Sequence, residues 1–117
     1  MKKSKSIIHS FKYATEGFIS AFKTERNMKM HIFIMICVII AGILLKINNL
    51  EWIICILLFG IVIGAELINT AIEITVDLAM PEKNEKAKLA KDIAAAGVFV
   101  VSITAAIVGM LIFLPKM

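Results

Sequence analysis

The sequence has few of the residues that stabilise small secreted proteins or form common cofactor motifs. Its 117 residues include two cysteines, Cys37 and Cys55, each inside an apolar run and outside any CxxC or Cys/His cluster. His9 and His31 stand alone, so no pattern typical of a zinc site is present. There is no GxxxxGK[ST] and no GxGxxG, which excludes a P-loop or protein-kinase fold.

Charged residues are also scarce. They make up 19% of the chain, while 60% is hydrophobic, against about 45–50% in a typical soluble domain. The mean hydropathy is +0.90. A soluble protein of this size would leave much of that apolar surface in water, so we predict a single membrane domain over residues 1–117. The same composition excludes an intrinsically disordered chain.

Three apolar blocks predict transmembrane helices at about 28–47, 51–79 and 90–114. The third is the clearest, because only Ser102 and Thr104 interrupt its apolar part. We expect Asn48, Asn49 and Glu51 to form a tight turn between the first two spans. A polar loop over 80–86, which contains the helix stop Pro81, should join the last two.

An amphipathic segment precedes the spans, at about 5–26. On a helix of about 100° per residue its apolar side chains share one arc, with charged residues opposite. This pattern predicts an interfacial helix lying on the membrane. The apolar residues of the arc are Ile7, Ile8, Phe11, Ala14, Phe18, Ile19 and Phe22.

Lysine and arginine set the predicted topology. With three spans, Lys46 and Lys116 fall on one side of the membrane, and the other eleven basic residues fall on the opposite side. The positive-inside rule therefore places the N-terminus and the 80–86 loop in the cytoplasm and the C-terminus outside. This topology explains the net charge of +4 without a nucleic-acid partner.

A polar stripe on the second span is the main functional signal. Glu66, Asn69, Glu73 and Asp77 share a face about 80° wide on an otherwise apolar helix. Ionisable groups inside a membrane are costly and usually functional. A structural polar seam between helices and a small proton or ion channel remain alternatives, as does a holin-like structural protein.

The predicted depth of the stripe suggests its chemistry. If Trp52 marks the outer interface, a hydrocarbon core of about 30 Å ends near residues 70–72. Glu66 would then lie just inside the inner boundary, where a carboxylate can meet a lipid hydroxyl as a general base. Glu73, with Glu25 as a second carboxylate, would suit Mg²⁺. Lys91 could neutralise phosphate oxygens.

The stripe residues also resemble a known family. The run 66–73 (ELINTAIE) with Val76-Asp77, and the block 90–95 (AKDIAA), are similar to the signatures of the small prokaryotic diacylglycerol kinases, which include undecaprenol kinases. The segment 10–14 (SFKYA) is more similar to the Gram-positive undecaprenol kinase branch. The resemblance extends over nearly the whole chain.

This resemblance implies a lipid kinase with the diacylglycerol-kinase-like fold, an integral-membrane homotrimer whose active sites are shared between subunits. Glu66 would be the general base for the lipid hydroxyl, and Glu25 and Glu73 would bind Mg²⁺ together with ATP. The remaining nucleotide-site residues that it implies are Tyr13, Asn69, Glu82, Asn84, Lys91 and Asp92. The expected acceptor is undecaprenol, with diacylglycerol as the alternative, at a bacterial plasma membrane.

Overall fold

The computed structural model describes residues 3–117, with side chains from residue 6 onwards, and all regular secondary structure in this part of the chain is helical. Three of its helices are long and apolar enough to cross a membrane. The predicted all-α class with three candidate spans is therefore confirmed. The helices are α1 (Lys3–Thr24), α2 (Arg26–Leu44), α3 (Asn49–Ala79) and α4 (Glu85–Phe113), followed by a 3₁₀ turn at Leu114–Lys116.

A single extended residue separates α1 from α2. Glu25 has φ −104° and ψ 115°, and its side chain makes no capping hydrogen bond. Ala21 and Met28, on either side of this break, are both buried. The break is therefore packed against the rest of the protein, while the Glu25 carboxylate stays available for another role. The large apolar side chains of α1, such as Ile8 and Phe11, remain exposed.

The connection between α2 and α3 lies slightly earlier than predicted. Asn49 and Glu51 belong to the first turn of α3, and the turn itself is formed by residues 45–48. The Asn48 side chain accepts a hydrogen bond from the Glu51 backbone N–H at 2.9 Å, and Glu51 Oε1 accepts one from the Asn48 N–H at 3.0 Å. This capping box satisfies two N–H groups at the helix start. Glu51 was expected in the turn and instead belongs to the first turn of α3.

Close packing stabilises the same connection. A Cβ atom on Gly42 would lie 2.8 Å from the ring of Trp52 and 3.1 Å from Ile47. Ile47 also belongs to a small apolar core with Cys55 and Ile112. Only glycine lets the end of α2 approach α3 this closely.

The α3–α4 hairpin is held at both ends. Lys91 Nζ lies 2.8 Å from Asp77 Oδ1 near the loop, and Lys116 Nζ lies 3.2 Å from Glu51 Oε1 at the far end. The α3 helix ends at Ala79, and Pro81 follows in the loop, as expected from its role as a helix stop. The Asn84 side chain caps α4 by accepting from the N–H groups of residues 86 and 87.

Several helix faces of the bundle carry small or apolar residues that do not pack against another described helix of this chain. Among the described residues of other helices, a Cβ atom on Gly60, Gly64 or Gly97 would meet nothing within 4 Å. These glycines therefore do not serve to bring two helices of one chain close together. They are accessible to lipid or to another subunit.

Candidate active site

The polar stripe on α3 is buried at its Glu66 end and exposed at its loop end. Glu66, Asn69 and Thr70 are buried, Glu73 is half-buried and Asp77 is exposed. Side-chain exposure therefore increases along this face of α3 from Glu66 to Asp77. Substrates of opposite polarity could approach the two ends of this face.

Glu66 is the most enclosed ionisable residue of the described chain, with a relative exposure of 1%. Within the part of the chain that the structure describes, neither of its carboxylate oxygens has a hydrogen-bond partner. Thr70 Oγ1 donates at 3.0 Å to the Glu66 backbone carbonyl and not to the carboxylate. Glu66 thus has an uncommitted acceptor group, which a general base requires.

Three charged or chargeable side chains act on Glu66. His31 Nε2, from α2, lies 3.8 Å from Glu66 Oε2. Glu25 and Glu73 are also near enough to interact with it electrostatically. Glu25, at the α1–α2 break, and Glu73, two turns along α3, therefore belong to the electrostatic environment of Glu66.

Glu73 lies beside an amide side chain on the same face of α3. Asn69 Nδ2 donates to Glu73 Oε1 at 3.3 Å, while Asn69 Oδ1 is buried and has no partner among the described residues. Within those residues no group of three or more His, Cys, Asp or Glu side chains could hold a metal alone. A carboxylate and an unpartnered amide oxygen are ligand types that suit Mg²⁺, which commonly takes further ligands from phosphates and water.

A second group of predicted residues lines a recess of about 590 Å³ at the loop end of the bundle. Its walls include Asp77, Glu82, Asn84 and Lys91. Lys91 is the basic residue paired with Asp77, so it lies beside the exposed end of the stripe. The recess therefore joins the loop residues to the α3 stripe.

The two other predicted nucleotide-site residues are more exposed. Asp92 pairs with Lys88 at 2.7 Å on the surface of α4. Tyr13 lies on α1 with 55% of its surface exposed, and its ring stacks on His9 at 6.1 Å. Neither residue lines the recess, so the structure brings neither of them into it.

An apolar cavity of about 440 Å³ opens between α2, α3 and α4. Its lining includes Val38, Phe59 and Val62, together with Ser102 of α4. His31 also lines it and is the side chain that contacts Glu66. The His31 imidazole therefore lies between this apolar cavity and the Glu66 carboxylate.

Comparison with known proteins identifies the family. The family model described as Prokaryotic diacylglycerol kinase matches residues 12–113, which include the α3 stripe, the loop and nearly all of α4. The chain belongs to the prokaryotic diacylglycerol kinase family. The predicted resemblance is confirmed, and lipid kinase activity follows from this membership.

Relatives within the prokaryotic diacylglycerol kinase family carry two names. The Undecaprenol kinase of Bacillus subtilis is 44% identical over 108 residues, covering 92% of this chain and 88% of the relative. The Diacylglycerol kinase of Synechocystis is 39% identical over 113 residues, covering 96% of this chain and 65% of the longer relative. The Diacylglycerol kinase of Haemophilus influenzae is 34% identical over 94 residues, or 80% of each chain.

Membership of the diacylglycerol kinase family favours the kinase interpretation over a channel or a structural membrane protein. Together with the three apolar helices it indicates a bacterial membrane protein. The kinase class also implies ATP as the phosphoryl donor. His31 was interpreted as an isolated histidine, and its position beside Glu66 was not predicted. Counting outward from the α2–α3 turn in both directions places His31 only to within about one helical turn of Glu66, so the sequence gives no clear signal of their contact.

Proposed function

We propose that this chain transfers the γ-phosphoryl group of ATP to the hydroxyl of undecaprenol, producing undecaprenyl phosphate. The observation that carries the proposal is Glu66, a buried carboxylate that has no hydrogen-bond donor among the described residues and lies on an apolar helix of a lipid kinase family. The similarity to the Undecaprenol kinase of Bacillus subtilis favours a polyprenol acceptor. Diacylglycerol is the second candidate acceptor, because other relatives are named Diacylglycerol kinase.

In this mechanism Glu66 accepts the proton of the lipid hydroxyl as its oxygen attacks the γ-phosphorus. The bond between the γ-phosphorus and the bridging oxygen breaks, and ADP leaves. Burial of Glu66 keeps water, the competing acceptor, away from the reacting oxygen. Phosphoryl transfer depends mainly on positioning and charge stabilisation, which a small rigid bundle can provide.

The nucleotide would lie at the loop end of the stripe. Lys91 carries a positive charge beside the recess and is suited to contact phosphate oxygens. Glu25 and Glu73 would hold Mg²⁺, and Asn69 would order the Glu73 carboxylate through their hydrogen bond. Bound Mg²⁺ offsets the negative charge of the transferring phosphate. The further nucleotide contacts that we propose are Tyr13, Glu82, Asn84 and Asp92.

The membrane orientation follows from the basic residues. We place the N-terminus and the loop at residues 80–84 in the cytoplasm and the C-terminus outside. The exposed apolar side chains of α1 support an interfacial position for that helix. ATP then approaches from the cytosol, and the lipid alcohol enters from the inner leaflet.

The functional unit that we propose is a homotrimer with sites shared between subunits. Gly60, Gly64 and Gly97 meet no neighbour within the chain and leave room for a partner helix to pack closely. Co-assembly of Glu66→Gln subunits with Asp92→Asn subunits tests the sharing, because Asp92 does not line the recess of its own chain. Recovered activity in the mixed oligomer would support shared sites, whereas two inactive parents giving an inactive mixture would contradict them.

The decisive experiment is a phosphorylation assay on the purified protein in detergent micelles. Undecaprenol and diacylglycerol are offered separately and in competition with ATP and Mg²⁺. We expect transfer to both, with a higher kcat/KM for undecaprenol. Transfer to diacylglycerol alone would select the second candidate, and transfer to neither would refute the proposed function.

A further inference from the structure

The buried Glu66 carboxylate lacks a hydrogen-bond donor among the described residues. Its two oxygens have no hydrogen-bond partner among the described residues, although the side chain is almost fully buried. Burying a charge without a partner is strongly unfavourable. Two of the groups that act on it, Glu25 and Glu73, carry the same sign of charge. They repel the carboxylate and cannot hold its orientation.

His31 is the one group among these neighbours that can stabilise the carboxylate. Its Nε2 atom lies 3.8 Å from Glu66 Oε2, slightly beyond hydrogen-bond distance. Catalytic hydrogen bonds in substrate-free structures are often long and shorten when the substrate is bound. The imidazole projects from α2, a different helix from the one that carries Glu66. A bond between them would fix the carboxylate relative to both helices.

The position of His31 also relates Glu66 to the apolar cavity. His31 lines that cavity while its side chain remains only 18% exposed. From this position the His31 N–H can hold Glu66 Oε2 and leave Oε1 free. That second oxygen is the one available to the acceptor hydroxyl.

We propose that His31 is a positioning residue for Glu66, holding one carboxylate oxygen through Nε2–H so that the other faces the acceptor hydroxyl. The inference rests on the proposed function, in which Glu66 is the base. The proton moves from the lipid hydroxyl to Glu66, the hydroxyl oxygen bonds to the γ-phosphorus, and ADP departs. His31 neither forms nor breaks a covalent bond in this step.

Two similar substitutions test the position of the donor. In His31→Gln the side-chain amide can reach about as far as Nε2, whereas in His31→Asn the amide stops near the place of Nδ1. We expect His31→Asn to lower kcat by about 10–100-fold, since misplacing a catalytic group by about 1 Å can have an effect of that order. His31→Gln should restore most of the loss, and the KM for ATP should change little in either variant.

A double-substitution experiment separates positioning from a structural role. If His31 acts through Glu66, His31→Asn should cause no further loss of turnover in a Glu66→Gln background. An equal loss in both backgrounds would overturn the proposal, as would equal turnover of the Gln and Asn variants. Should wild-type protein phosphorylate neither lipid, the proposed function itself fails. Normal wild-type turnover with a fully active His31→Asn variant refutes only the role of His31.

Discussion

Replacing Glu66 with glutamine tests whether this residue acts as a proton acceptor or only fills space in the bundle. Glutamine has nearly the same shape, so the space that Glu66 occupies at 1% exposure stays filled. It cannot accept the hydroxyl proton as a carboxylate does. Loss of a general base typically lowers turnover by about 10²–10⁴-fold. Since each tenfold change corresponds to about 1.4 kcal/mol, the barrier should rise by about 3–5 kcal/mol.

Although Glu66→Gln should lower turnover, its thermal stability should stay the same or increase. The wild-type carboxylate is buried beside two other acids, Glu25 and Glu73, and has no hydrogen-bond donor among the described side chains. Removing its charge eliminates their repulsion and the cost of burying an ion. We therefore expect Glu66→Gln to retain its assembly and to unfold in detergent at the same temperature as wild type or higher.

The assay measures kcat with saturating ATP·Mg²⁺ and lipid in mixed micelles, alongside thermal unfolding and oligomer size. Glu16→Gln is the matched control, because Glu16 is an exposed carboxylate on α1 and has no proposed role. Unchanged turnover of Glu66→Gln would refute the base assignment. A large loss of turnover accompanied by loss of assembly would show that the charge is needed for structure instead.

Three further substitutions test the metal site and the packing of the chain. Glu73→Gln should raise the Mg²⁺ concentration needed for half-maximal activity, because one of two proposed carboxylate ligands is lost; a normal Mg²⁺ titration would contradict this role. Gly42→Ala should destabilise the protein by about 1–3 kcal/mol, since its Cβ would lie 2.8 Å from Trp52. Gly17→Ala, where a Cβ meets nothing within 4 Å, is its control in thermal unfolding, and equal effects would refute the packing argument. Asn48→Ala should cost about 1 kcal/mol through loss of the helix cap, and an unchanged unfolding temperature would contradict this.

Features that depend on local periodicity could be predicted from the sequence. The shared face of Glu66, Asn69 and Glu73 follows directly from the helical repeat, and the structure buries the first two and half-buries the third. The three apolar spans likewise follow from the length of their apolar runs. Pro81 marked the end of α3 correctly, because the proline ring cannot continue a helix.

Features that depend on packing between helices could not be predicted in the same way. The contact between His31 and Glu66 requires the relative register of α2 and α3. That register depends on a turn in which Lys46 adopts the left-handed backbone conformation, with φ 54°. A boundary between the first two helices was expected near residue 27, but no proline or glycine marks the single extended residue, Glu25, at which it lies. The space beside Gly60 depends on where the other helices pass, which no local pattern determines.

The length of α3 has a consequence for how such a small kinase can work without a moving lid. Its 31 residues extend about 46 Å, roughly half as long again as the hydrocarbon layer is thick. One rigid rod can therefore present a carboxylate to the oily phase and another to the aqueous phase at a fixed separation. Soluble kinases commonly close domains around their substrates to exclude water. We expect the bilayer itself to do this here, so that turnover should respond to membrane thickness more strongly than to solvent viscosity.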